Sequence, residues 1–287
     1  MIQVNNLSFT YPGTIEETIK DISFSFGKGD IFGFLGPSGA GKSTTQKILI
    51  RLLAGYQGQI NILGKVLKTW NNEFYNHIGV GFELPNHYAK LTGLENLKLF
   101  ASFYEKTSQN LMELLDRVGL KEAANQKTQD YSKGMKMRLN FIRALIHDPE
   151  ILFFDEPTSG LDPVNARNLK DMILEQKNRG KTIFLTTHNM HDADELCDRV
   201  AFITNGQIKA EDSPKALKLK FGQPRLTLEY QNNGLHTEEF ELAQLGQNQK
   251  FLQLINSGQI VSMHTKEASL DEVFIKTTGE KLTLPDF

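Results

Sequence analysis

The 287-residue sequence predicts an α/β fold built on a parallel sheet, with a smaller α/β appendage after it. Short apolar runs at Ile31–Leu35, 150–154 and Thr182–Thr187 suit strands covered on both faces, and a helical pattern at Pro163–Asn178 separates the last two. A glycine-rich turn follows the first of these strands and opens directly into a helical pattern.

Taken in order, Ile2, Val4, Leu7 and Phe9 alternate loosely, and Ile22, Phe24 and Phe26 alternate cleanly, predicting an antiparallel β region at the start. After the glycine-rich turn, Ile48, Leu49, Leu52 and Leu53 recur at helical spacing, so a helix is expected over 42–54 with Gly55 as its C-cap. A mainly helical insertion is expected over about 85–148, where Thr92 and Glu95 stand in capping-box order. Asn205-Gly206 between two apolar runs predicts a tight hairpin. The domains are expected at 1–216 and 217–287, the second carrying strands at 224–230, 237–242 and 259–264 and helices at 251–255 and 270–276.

Composition narrows the function. The 32 basic and 34 acidic side chains nearly cancel, giving no electrostatic argument for a nucleic-acid partner. The single cysteine, Cys197, builds neither an internal disulfide nor a metal cage. No run approaches the roughly 20 apolar residues of a membrane span, and the N-terminus does not read as a secretory signal, so a cytoplasmic chain is expected.

Gly36-Pro37-Ser38-Gly39-Ala40-Gly41-Lys42-Ser43-Thr44 fits the phosphate-binding P-loop pattern in the right setting, after a strand and opening a helix. Backbone amides and the helix N-terminus would wrap the phosphates. Lys42 is expected at the β- and γ-phosphates, Ser43 on Mg²⁺ and Thr44 near the α-phosphate. Asp155 and Glu156 end a buried strand, the edge where open parallel sheets gather ligands. Asp155 is expected to hold the metal's water shell and Glu156 to orient or deprotonate the attacking water. His188, at the end of the next strand, is placed to contact the γ-phosphate. His77, His87 and His191 read as surface or packing residues.

Over about residues 1–216 the sequence resembles the ATP-binding subunits of ABC transporters. The likeness rests on motifs in family order: Tyr11, the P-loop, Tyr131-Ser132-Lys133-Gly134-Met135 at the signature position, Asp155-Glu156 with Ser159-Gly160-Leu161-Asp162, and His188. It implies a P-loop NTPase of ABC ATPase type that binds ATP and Mg²⁺, with Tyr11 stacking on adenine. It further implies a second copy or a paralogous ATP-binding subunit, whose P-loop would face Ser132, Gly134 and Asp162 across the ATP.

Two departures from the family pattern stand out. Lys133 and Met135 replace the usual third and fifth signature residues, and Glu83 occupies the position usually held by the glutamine of the Q-loop. Ionised glutamate donates no hydrogen bond but is the stronger ligand for Mg²⁺. Glutamate here resembles some exporters of bacitracin, lantibiotics and related drugs, and Ser269-Leu270-Asp271-Glu272-Val273-Phe274 resembles the appendage of drug, peptide and sodium export ATPases. The implied function is ATP hydrolysis driving a separate transmembrane permease from the cytoplasmic face of the membrane, with export favoured over import. The groove near Glu83 to Glu95 is where family members receive a cytoplasmic helix of that partner. A soluble regulatory or remodelling ATPase without a permease is the alternative; one P-loop and no sustained heptads weigh against the remodelling form.

Overall fold

The computed structural model describes residues 1–105 and 110–280. They divide into two compact units, Met1–Glu211 and Asp212–Phe287. The break precedes the expected boundary at 216/217, because the helix at Pro214–Phe221 packs with a later helix of the second unit rather than ending the first.

The first unit runs β1 (Ile2–Phe9), β2 (Ile19–Phe26), β3 (Ile31–Leu35), α1 (Lys42–Leu49), β4 (Gln57–Ile62), β5 (Lys65–Val66), α2 (Phe74–His77) and β6 (Ile78–Gly81). It continues through α3 (Gly93–Ala101), α4 (Leu111–Arg117), α5 (Lys133–Arg143), β7 (Ile151–Asp155), α6 (Pro163–Asn178), β8 (Thr182–Thr187), α7 (Met190–Leu196), β9 (Arg199–Thr204) and β10 (Gln207–Asp212). The core sheet has the order β10-β9-β3-β8-β7-β6, and the pairs from β9 across to β6 are parallel. Every residue of β3, β7 and β8 is buried, as expected for strands sandwiched between layers.

The antiparallel sheet β2-β1-β4-β5 shares one apolar core with the parallel sheet. Phe26 stacks on Phe32 with ring centroids 4.8 Å apart, and Phe24 packs on Phe32, Phe34 and Phe184. The alternation of β2 therefore points Phe24 and Phe26 at the floor of the sheet that carries the phosphate loop.

Helix α1 is shorter than expected. It ends at Leu49, and Arg51 takes a left-handed φ of 62°, so the Leu52 and Leu53 amides turn back to the Lys47 carbonyl and Leu52 is exposed. Gly55 lies beyond this reversal and does not cap the helix. The helical insertion is as patterned: Thr92 and Glu95 form a reciprocal capping box on α3, and Ser132 caps α5. Asp162 caps α6 with Pro163 in the first turn.

The second unit contains α8 (Pro214–Phe221), β11 (Arg225–Gln231), β12 (Leu235–Glu241), α9 (Gln249–Asn256), β13 (Ile260–Lys266) and α10 (Leu270–Thr278). Its antiparallel sheet, β12-β11-β13, buries Leu226, Leu228, Tyr230 and Phe240 against Phe251 of α9. Among the described residues no helix is long and apolar enough to cross a membrane.

The β9–β10 turn supports the phosphate loop from below. Asn205 and Gly206 both have positive φ, at 49° and 78°. The Gly206 amide donates to the Ala40 carbonyl at 3.2 Å and its carbonyl accepts from Lys20 at 2.8 Å. A Cβ on Gly206 would lie 2.4 Å from the Thr18 carbonyl oxygen. Gly206→Ala is therefore expected to lower unfolding stability by about 1–3 kcal/mol, measured by chemical denaturation.

Candidate nucleotide site

Residues Gly36, Pro37, Ser38, Gly39, Ala40 and Gly41 form the turn between β3 and α1, and Lys42, Ser43 and Thr44 make up the first turn of that helix. No acidic residue occupies this first turn, which leaves its partial positive charge available to an anion. Lys42, 7% exposed as a residue, donates from its ammonium to the carbonyls of Gly36 at 2.6 Å and Pro37 at 3.0 Å, so it curls over its own loop. Burial lowers its pKa, opposed by the charges of Glu156, Asp155 and Glu83.

Those carboxylates arrive on neighbouring parallel strands. Asp155 pairs with Thr186 in register, and the Thr186 and Ser43 hydroxyls both donate to its Oδ1, Ser43 at 3.3 Å. Burial pushes the Asp155 carboxyl above its usual range, and these hydrogen bonds pull the other way. Glu156 breaks the strand with a left-handed φ of 49° while its amide still donates to the Thr186 carbonyl at 3.0 Å. This conformation costs a glutamate about 1–2 kcal/mol. It turns the carboxylate toward β8, where Oε2 accepts from Thr187 at 2.9 Å and Oε1 from the His188 amide at 2.8 Å. His188 Nδ1 lies 2.6 Å from the same Oε1, and this hydrogen bond raises the imidazole pKa.

Glu83 lies near this group, on the exposed segment after β6. Desolvation raises its pKa first, then the charges of Asp155 and Glu156, with Lys42 and His188 opposing. Tyr11 is half-buried after β1, and its hydroxyl lies 3.1 Å from Thr44 Oγ1. Lys42, Ser43, Asp155, Glu156, His188 and Glu83 thus form one electrostatic cluster, with Thr44 and Tyr11 beside it. Ser132, Gly134 and Asp162 form a second group. The Ser132 hydroxyl accepts from the Met135 amide at 3.2 Å, Gly134 faces Leu161, and Lys133 packs against Gly160.

Sequence reasoning did not assign Thr186 and Thr187 their roles in holding the two carboxylates, although a buried strand ending in adjacent threonines carries the signal. A groove of about 440 Å³ opens beside the Glu83 to Glu95 stretch singled out in the sequence, and its lining includes Tyr75, Phe82, His87, Phe100, Tyr104 and Arg143. His87 and His147 are packing residues around this region: Nε2 of each lies 2.9 Å from a backbone carbonyl, of Lys136 and Ile78 respectively.

Two measurements test this description. Removing the Lys42 ammonium deletes charge-assisted bonds worth about 1.5–3 kcal/mol, so Lys42→Ala is expected to weaken ATP affinity roughly tenfold or more by calorimetry; unchanged affinity overturns the cradle. Burial lowers the pKa of both His87 and His147 to about 4, so between pH 6.5 and 4 the unfolded chain binds protons that the folded chain refuses. Stability should fall with pH across that window, by about 2 kcal/mol per imidazole, and the fall should be shallower in His147→Gln.

Residues 19–159 match the family model of the ABC transporter, and residues 225–267 match that of the fluoroquinolone efflux ABC transporter C-terminal domain. The chain is 52% identical over 285 residues to a fluoroquinolones export ATP-binding protein of Mycobacterium tuberculosis, covering 99% of this chain and 95% of the other. It is 32% identical to the bacitracin transport ATP-binding protein of Bacillus licheniformis, covering 92% and 93%. Among solved structures, an ATP-binding subunit of an ABC transporter superposes with a TM-score of 0.70 at 30% identity, covering 77% of this chain and 93% of that one. A dimeric ATP-binding cassette in a post-hydrolysis state with ADP and Pi gives 0.68 at 25% identity, covering 74% and 98%. A phosphate loop, two strand-end carboxylates and a histidine on one sheet edge agree with these likenesses, and the chain belongs to the ABC transporter ATP-binding family.

Proposed function

We propose that this chain is the ATP-hydrolysing subunit of a drug exporter, working as a dimer on ATP-Mg²⁺ and driving a separate permease from the cytoplasmic face of the membrane. The observation that carries the export reading is the 52% identity to a fluoroquinolones export protein over nearly the full length of both chains, including the second unit. Substrates of fluoroquinolone type, planar aromatic and amphiphilic, are the first to test.

In each half-site the P-loop amides and Lys42 grip the phosphates. The Ser43 hydroxyl and the Asp155 carboxylate, 3.3 Å apart, are hard oxygen donors of the kind Mg²⁺ prefers, and Glu83 adds a third near them. Bound there, the ion would screen charge on the transferring phosphoryl group. Glu156 orients or deprotonates the attacking water, and His188 holds the carboxylate that does so. Tyr11 stacks on adenine. Ser132, Gly134 and Asp162 belong to the face offered to the opposite subunit, which explains why they gather around Leu161 rather than around Lys42.

Closure follows from chemistry. A γ-phosphate touched by both subunits gives the ATP state contacts that ADP cannot make, and only such a difference shifts the equilibrium. The groove beside Phe82 and Tyr88 offers aromatic walls to a cytoplasmic helix of the permease.

Glu156→Gln is expected to bind ATP, accumulate as a dimer in size-exclusion chromatography and turn over at least a hundredfold more slowly, about the scale of a lost general base. Normal turnover removes Glu156 from that role. Failure of the native chain to co-purify with a multi-helix membrane protein overturns the permease reading.

A further inference from the structure

Helix α5 is capped by Ser132, and its inner face grips the segment that carries Glu83. Asn140, 3% exposed, donates from Nδ2 to the Phe82 carbonyl at 2.7 Å. Its Oδ1 accepts from Arg143 Nη2 at 2.6 Å, and Arg143 Nη1 donates to the Asn86 carbonyl at 3.1 Å. One turn earlier the Lys136 carbonyl accepts from His87. Side-chain bonds from one helix thus reach both ends of the exposed stretch containing Glu83 and Leu84.

Asparagine is a poor choice for a buried helix position unless its amide is used, because it lowers helix propensity and costs free energy when unpaired. Here both ends of the amide are engaged. Gly81, just before this stretch, lies against the Phe154 ring, where an added Cβ would stand 2.9 Å away. The Phe82 carbonyl lies in the same rigid peptide plane as the Glu83 amide and Cα. A bond to that oxygen fixes where the Glu83 side chain starts.

We propose that Asn140 is a positioning residue, which sets the Glu83 carboxylate through the Phe82 carbonyl. The inference rests on the reading of Glu83 as a member of the nucleotide site and adds the element that controls it.

The test is a double-mutant cycle on the purified full chain, with kcat, the KM for ATP and thermal unfolding measured for each member. Asn140→Asp keeps the volume and the acceptor for Arg143 and removes the donor to Phe82. It is expected to lose roughly tenfold to a hundredfold in kcat with KM for ATP changed less than about twofold, the cost of a misplaced group. Combined with Glu83→Ala it should lose nothing beyond the slower single variant, because both act through one carboxylate. Multiplying losses, or full turnover in Asn140→Asp, overturn the proposal while leaving Glu83 in the site. Full turnover in Glu83→Ala removes Glu83 from the site and the proposal with it. If Asn140→Asp fails to unfold cooperatively, Asn140→Leu takes its place in the cycle under the same criteria.

Discussion

The register of three parallel strands is the constraint on which the site depends. Leu35 pairs with Thr187 and Asp155 with Thr186, so β3, β8 and β7 end at one level. The phosphate loop, the two carboxylates and His188 leave the sheet from those ends. Shifting β8 by one residue would turn its side chains to the opposite face, separating Thr186 from Asp155 and Thr187 from Glu156. The buried phenylalanine stack from β2 through β3 to β8 holds that register from beneath.

Much of this architecture is legible in the sequence because local signals and tertiary demands agree. Continuous apolar runs are explained by strands buried on both faces, Asn205-Gly206 by a turn with two positive φ values, and Thr92 with Glu95 by a reciprocal cap. Where they disagree, the pattern misleads. Leu52 and Leu53 continue the helical spacing of α1, but the chain reverses at Arg51 and leaves Leu52 in solvent. Likewise α8 follows the last strand of the first unit without a break in composition, and only its packing assigns it to the second.

The site was legible for the same reason and to the same depth. Phosphate binding needs small residues, a helix start and a lysine in one continuous stretch, so the sequence displays it whole. The supports of that site are spread over distant segments. Thr186, Thr187 and Asn140 act through a hydroxyl or an amide on a neighbouring element, and no spacing rule links residue 140 to residue 82. Asn140 does carry a trace of its role, as a polar side chain among the buried residues of α5.

Lys42 shows how the phosphate loop holds its own charge. Its ammonium donates to the carbonyls of Gly36 and Pro37, and because an ammonium has three N–H donors an anion can be met without breaking either bond. Those two bonds hold the lysine's charge over the loop and beside a helix start that carries no acidic residue, so the turn presents one concentrated positive end.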